Sequence, residues 1–135
     1  MDPRITLIFL FLCVALAECL TKDEYQQTKT EVHAACIVDT GVSEDVVMAI
    51  NEKGQFADDD KLKCYIKCVH EKFGLMDDDG TIDFETIIKL MPEELSSIHA
   101  PKIRACGTVY GPNLCETAWL TAKCYAGDIH QIPHP

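Results

Sequence analysis

Six cysteines, Cys36, Cys64, Cys68, Cys106, Cys115 and Cys124, are the residues of this 135-residue chain best placed to do chemistry. They could hold zinc, supply a nucleophile or oxidise in pairs. Zinc is disfavoured because no Cys-x-x-Cys pair occurs. Cys68-Val69-His70-Glu71 puts a histidine beside an acid on one helix, but neither a Cys-Cys pair nor a glycine-rich calcium loop accompanies it. His70 therefore reads as a solvated residue on the polar face of its helix. Asp77-Asp78-Asp79-Gly80 invites comparison with a calcium loop. Setting Gly80 at the sixth position puts Leu75 at the first and Thr86 at the twelfth, where an acid and a bidentate glutamate belong. Two essential ligands are missing, and the segment reads as a turn. No Gly-x-Ser-x-Gly elbow is present, and no thiol stays free once the six cysteines pair. The expectation is no catalytic residue, no metal and no cofactor.

The amino terminus explains why oxidation should win. Arg4 supplies a positive charge ahead of an apolar run from Ile5 to Ala17, which includes Leu7, Phe9, Leu10, Phe11, Leu12 and Leu16. The run is too short to span a bilayer and fits a secretory signal peptide. Small residues allow cleavage after Ala17 or after Cys19. Eight cysteines are present in all, and Cys13 leaves with the signal. Cutting after Ala17 leaves an odd seven, whereas cutting after Cys19 leaves the six above, an even set suited to an oxidising compartment. The expected division is a signal peptide at 1–19 and one secreted domain at 20–135.

Losing Asp2, Arg4 and Glu18 with the signal changes the formal charge from −10 to about −9. Such an acidic chain repels phosphate backbones, so nucleic acid is not an expected partner. No second stretch approaches membrane-spanning length, so an integral membrane protein is not expected either.

The elements that must position the cysteines are all helical. Thr21-Lys22-Asp23-Glu24 is a capping box, with Leu20 and Tyr25 placed as its hydrophobic staple, and opens a helix to about Val38. Ser43, with Glu44 and Asp45 behind it, caps a second helix that ends at Gly54. Asp58, Asp59 and Asp60 precede a third, whose Leu62, Tyr65, Ile66, Val69 and Phe73 form an amphipathic stripe. Asp83 caps a fourth bearing Phe84, Ile87, Ile88 and Met91, which Pro92 stops. Pro92 can open a fifth, which Pro101 should kink or split. Asn113 opens a sixth, with Cys115, Ala118, Trp119 and Ala122 on one face. Residues 128–135 form a short tail, and strand alternation appears nowhere.

Six cysteines allow fifteen connectivities. Cys64 and Cys68 are one turn apart on a helix, with β-carbons roughly 5–6 Å apart, beyond the ~3.5–4.5 Å a disulfide wants. Cys115 and Cys124 are separated by on the order of 13 Å along another helix. Excluding both pairs leaves ten arrangements open. The spacing itself, Cys36-x27-Cys64-x3-Cys68-x37-Cys106-x8-Cys115-x8-Cys124, resembles the insect odorant-binding proteins of the six-cysteine pheromone- and general-odorant-binding type, over nearly the whole secreted chain. The resemblance implies a compact all-α bundle of about six helices around an internal apolar cavity. It also implies the pairs Cys36–Cys68, Cys64–Cys115 and Cys106–Cys124.

The function implied by the resemblance is carriage of a small apolar volatile or lipid-like ligand in extracellular fluid such as sensillum lymph. A membrane odorant receptor is a further candidate partner, and the expected state is a monomer or weak homodimer. Candidate lining residues are Phe56, Tyr65, Ile66, Val69, Phe73, Met76, Phe84, Ile87, Ile88, Met91 and Trp119. Each taken singly reads better as ordinary core, and the resemblance reverses that preference for the set. Trp119 is preferred because Cys115 anchors its helix one turn earlier on the same face. Met76 and Met91 suit a cavity that accepts varied shapes. A ligand burying ~300 Å² of apolar surface gains about 7 kcal/mol before ordering costs, which suggests micromolar binding. Ile129 and Ile132 in the tail could close the pocket, with His130 and His134 releasing them in acid. Competing readings are a non-olfactory carrier and a secreted interaction protein with a filled core.

Overall fold

In a computed structural model, residues 2–127 are described, with side chains for all of these except 9, 11–23 and 25. Among the described residues there are six helices: α1 (Pro3–Thr40), α2 (Glu44–Lys53), α3 (Asp60–Lys72), α4 (Phe84–Leu90), α5 (Glu93–Cys106) and α6 (Leu114–Ala126). No described helix is long and apolar enough to cross a membrane. The chain divides into two compact units, Met1–Ala34 and Ala35–Pro135.

The first unit is the leading part of α1. This helix begins at Pro3, so the capping box at Thr21–Glu24 does not open it. The cause is local: the preceding run is rich in leucine and alanine, strong helix formers that carry the helix through the cap signal.

The second unit holds the remaining elements, and short-range signals explain most of their ends. Ser43 is extended, as an N-cap should be, but its side chain makes no capping bond to α2. The acids Glu44 and Asp45 in the first turn complement the helix dipole instead. At the other end Gly54 adopts φ 63°. Its N–H donates to the Ile50 carbonyl at 3.0 Å, the bond of a left-handed glycine cap, and that of Gln55 donates to Ala49 at 3.1 Å. The Asp59 carboxylate accepts from the Leu62 N–H at 2.8 Å and so caps α3. Asp83 accepts from the Thr86 N–H at 3.1 Å to cap α4. Asn113 accepts from the Glu116 N–H at 2.9 Å to cap α6.

Between α3 and α4 the chain makes a tight turn closed by an isolated antiparallel bridge between Met76 and Ile82. Gly80 takes φ 90°, and its N–H donates to the Asp77 carbonyl at 2.9 Å. The aspartates that suggested calcium are part of this turn: the Asp79 carboxylate accepts from the Thr81 N–H at 3.0 Å. That bond is the main reason its pKa lies below the usual carboxylate value.

Of the kink or split expected at Pro101, the split does not occur, since α5 runs unbroken from Glu93 to Cys106. Proline removes one donor, the partner of the Ser97 carbonyl. Ser97 and Pro101 are both exposed, so water can take the place of the missing bond.

α6 packs most extensively on α3 and also contacts α5, which in turn packs on α4. Leu62, Ile103, Thr121 and Cys36 are completely buried. Three disulfides join Cys36 to Cys68, Cys64 to Cys115, and Cys106 to Cys124. α3 is thereby tied to α1 through one bond and to α6 through a second, while α5 is tied to α6.

The loop between α5 and α6 is held by hydroxyls. The Thr121 Oγ1 accepts from the Val109 N–H at 2.9 Å, and Thr117 Oγ1 accepts from Gly111 N–H at 2.9 Å. Thr108 Oγ1 accepts from the Ile82 N–H at 3.0 Å, which fastens the same loop to the turn before α4. Buried threonines in α6 thus satisfy a loop backbone that would otherwise be unpaired.

Candidate functional site

The apolar stripes expected from the sequence face inward in the second unit. Tyr65, Ile66, Met76, Ile87 and Trp119 are buried. Phe56, Val69, Phe73, Phe84, Ile88 and Met91 are half-buried. Ile129 and Ile132, with His130 and His134, lie outside the described residues.

Tyr125 draws three helices together. Its ring meets Phe84 of α4 edge-on at 6.4 Å and His70 of α3 at 6.1 Å. The reading of His70 as solvated is wrong: it is 4% exposed. The sequence carried a signal for this, because His70 follows Leu62 and Ile66 at four-residue steps and so continues the buried stripe. Tyr125 likewise follows Ala118 and Ala122 on α6. Their polar types masked their positions.

The two groups fix each other's protonation. His70 Nδ1 lies 2.7 Å from the Ile66 carbonyl, which can only accept, so Nδ1 carries the proton. In the neutral ring Nε2, 2.7 Å from the Tyr125 hydroxyl, is then the acceptor and the phenol the donor. Burial pushes the imidazole pKa down, against the opposing pull of the Ile66 carbonyl. Burial also pushes the Tyr125 phenol up, so both groups are neutral at physiological pH.

A second, polar locality joins the amino-terminal ends of α3 and α6. Lys63 is only 5% exposed. Its ammonium pairs with Asp58 and with Glu116, each at 2.6 Å. Its pKa is raised, first by the bond to Asp58 and then by that to Glu116. Trp119 lies beside it, with Lys63 Nζ 4.5 Å and Lys123 Nζ 4.2 Å from the ring centroid. Both ammoniums are thus within cation–π range of this preferred lining residue. Its indole nitrogen is buried without a hydrogen-bond partner among the described residues. Alongside runs a cleft of about 310 Å³ lined by Asp60, Lys63, Cys64, Asn113, Leu114, Cys115 and Glu116. Sequence reading missed this locality because Lys63 and Glu116 are 53 residues apart.

These two places differ in what they can do. The stripes around Tyr65, Phe73, Phe84 and Ile87 offer apolar surface and the neutral His70–Tyr125 pair. The cleft offers carboxylates, a buried ammonium and a disulfide.

The chain is similar to several insect proteins. General odorant-binding protein 69a of Drosophila melanogaster is 32% identical over 90 residues, covering 67% of this chain and 61% of that protein. The chain therefore spans less than two thirds of the length of that relative. The crystal structure of a medfly odorant-binding protein is similar at TM-score 0.62 and 32% identity, covering 76% of this chain and 94% of the other. Odorant-binding protein 7 of Anopheles gambiae, solved with four disulfide bridges and in complex with an azo compound, matches at TM-score 0.65 and 28% identity, covering 77% and 85%. The model of the PBP/GOBP family matches residues 19–127, and with the three disulfides and six helices already in place, this chain belongs to that family.

Proposed function

We propose that the chain is a secreted carrier of small apolar ligands such as odorants or pheromones, and that it performs no catalysis. The observation that carries this reading is the incomplete covering of Val69, Phe73, Phe84, Ile88 and Met91 on stripes that point inward. Apolar surface left partly uncovered in a disulfide-tied frame can be covered by a ligand, at about 25 cal/mol for each Å² removed from water. Membership of the PBP/GOBP family and an azo compound bound to a relative support the same reading.

In this proposal the signal peptide is removed after Cys19, and the protein acts in an extracellular fluid as a monomer or weak homodimer. Ile129 and Ile132 of the tail contribute a wall or lid that acid loosens. The test is displacement of a fluorescent apolar probe from the secreted protein. Micromolar probe binding, reversed by small volatiles, is the expected result. A protein that binds no apolar probe has a filled core, and the carrier reading would be abandoned.

A further inference from the structure

The three disulfides occupy unequal electrostatic positions. Cys36, Cys68, Cys106 and Cys124 each lie within four residues of the carboxyl-terminal end of their helix. There the helix dipole disfavours a thiolate. Cys115 is different: it is the second residue of α6, where the dipole favours negative charge. Its partner Cys64 is the fifth residue of α3. Both cysteines of this pair, and no other cysteine, line the cleft of about 310 Å³. Cys36 is completely buried, while Cys64, Cys115, Cys106 and Cys124 are half-buried, so only the Cys64–Cys115 bond combines access at both sulfurs with a sulfur at the start of a helix.

We propose that the Cys64–Cys115 disulfide is a thiol-exchange site, reached by small thiols through the cleft between the amino-terminal ends of α3 and α6. The incoming thiolate attacks Cys64 Sγ and forms a mixed disulfide there. The Cys64–Cys115 bond breaks, and its electron pair goes to Cys115 Sγ, which leaves as a thiolate at the start of α6. A second equivalent of thiol resolves the adduct, giving the small-molecule disulfide and two protein thiols. Leaving is faster for the sulfur whose thiolate is better stabilised, which sets the direction of attack. Cys36–Cys68 and Cys106–Cys124 stay closed and continue to tie α1, α3, α5 and α6.

Charge in the cleft selects among thiols. Asp60 and Glu116 line it, and the Lys63 ammonium is already engaged by Asp58 and Glu116. A cationic aminothiol is therefore favoured over an anionic thiol peptide.

The test exposes the folded, secreted protein to a limiting amount of cysteamine, followed by acid quench, alkylation and peptide mass spectrometry. The expected early product carries cysteamine on Cys64 and the alkyl label on Cys115, at least about fivefold ahead of the other four cysteines. At equal thiolate concentration, cysteamine should outpace glutathione, and Asp60→Asn should narrow that gap. The Cys64→Ser/Cys115→Ser double variant, checked for helical content, should lose the fast phase. The assignment is overturned if another pair opens first, if all three open together, or if the adduct forms on Cys115. Glutathione outpacing cysteamine, or a fast phase surviving in the double variant, would overturn it as well.

Discussion

The buried His70 and the half-buried Tyr125 form a neutral hydrogen-bonded pair, with Nε2 and the phenol oxygen 2.7 Å apart across α3 and α6. Burial keeps the imidazole neutral and the Ile66 carbonyl holds its proton on Nδ1, so Nε2 accepts and the phenol donates. Tyr125→Phe keeps the ring that meets Phe84 and removes that donor. The expected loss is about 1–3 kcal/mol, the cost of a buried acceptor left unsatisfied. Chemical denaturation at pH 7 measures it. An unchanged midpoint would show that the pair adds nothing to stability.

Gly111 sits where no side chain fits. A β-carbon there would lie 2.6 Å from the Glu116 β-carbon and 3.2 Å from the Thr117 nitrogen. Both belong to the first turn of α6, which the Asn113 cap and the Cys64–Cys115 bond hold in place. Gly111→Ala should therefore displace the loop from the Thr117 hydroxyl and cost about 1–3 kcal/mol. Thermal melting checks this, and a melting temperature equal to the parent's would show that the loop adjusts freely.

How much was legible beforehand depended on the range of the signal. Asp83 and Asn113 act on backbone groups three residues away, so a local reading found those helix starts, whereas Asp59 stood only as one of three aspartates ahead of α3. The cysteines were legible as a set but not as pairs, since helix geometry alone left ten arrangements. Pro101 was overestimated because its penalty is one bond at an exposed place, less than the packing of Ala100 and Ile103 on the same helix returns. Lys63 was invisible because its partner Glu116 comes from a distant helix. His70 was misread because residue type was weighed above its place on the stripe.

An even set of six cysteines implies a defined secreted product. Its amino terminus should be Leu20, and it should take up no alkylating reagent before reduction. Intact mass before and after alkylation tests both statements. A chain starting at Glu18 with one labelled cysteine would mean that Cys19 persists unpaired.

Acid should separate two effects that a single titration would merge. Burial holds the His70 pKa below its ordinary value, so the folded state binds this proton less readily than the unfolded chain. Stability from this source is full above about pH 6.5, the unfolded value, and is lost as pH falls below it toward the depressed folded value. His70→Gln should flatten that loss, with denaturation midpoints compared at pH 7 and pH 5. Ligand release is assigned to a different part of the chain in the proposed function, the tail with Ile129, His130, Ile132 and His134. If those imidazoles dock neutral, protonation favours the undocked tail, and affinity should fall several-fold between pH 7 and pH 5 while helical content is unchanged. Deleting residues 128–135 should weaken probe binding at pH 7 and flatten its pH dependence, yet leave the acid loss of stability in place. His70→Gln should do the reverse. A truncated protein that keeps the full pH dependence of affinity would remove the tail as the switch and transfer that role to His70, which touches Tyr125 three residues before the tail begins.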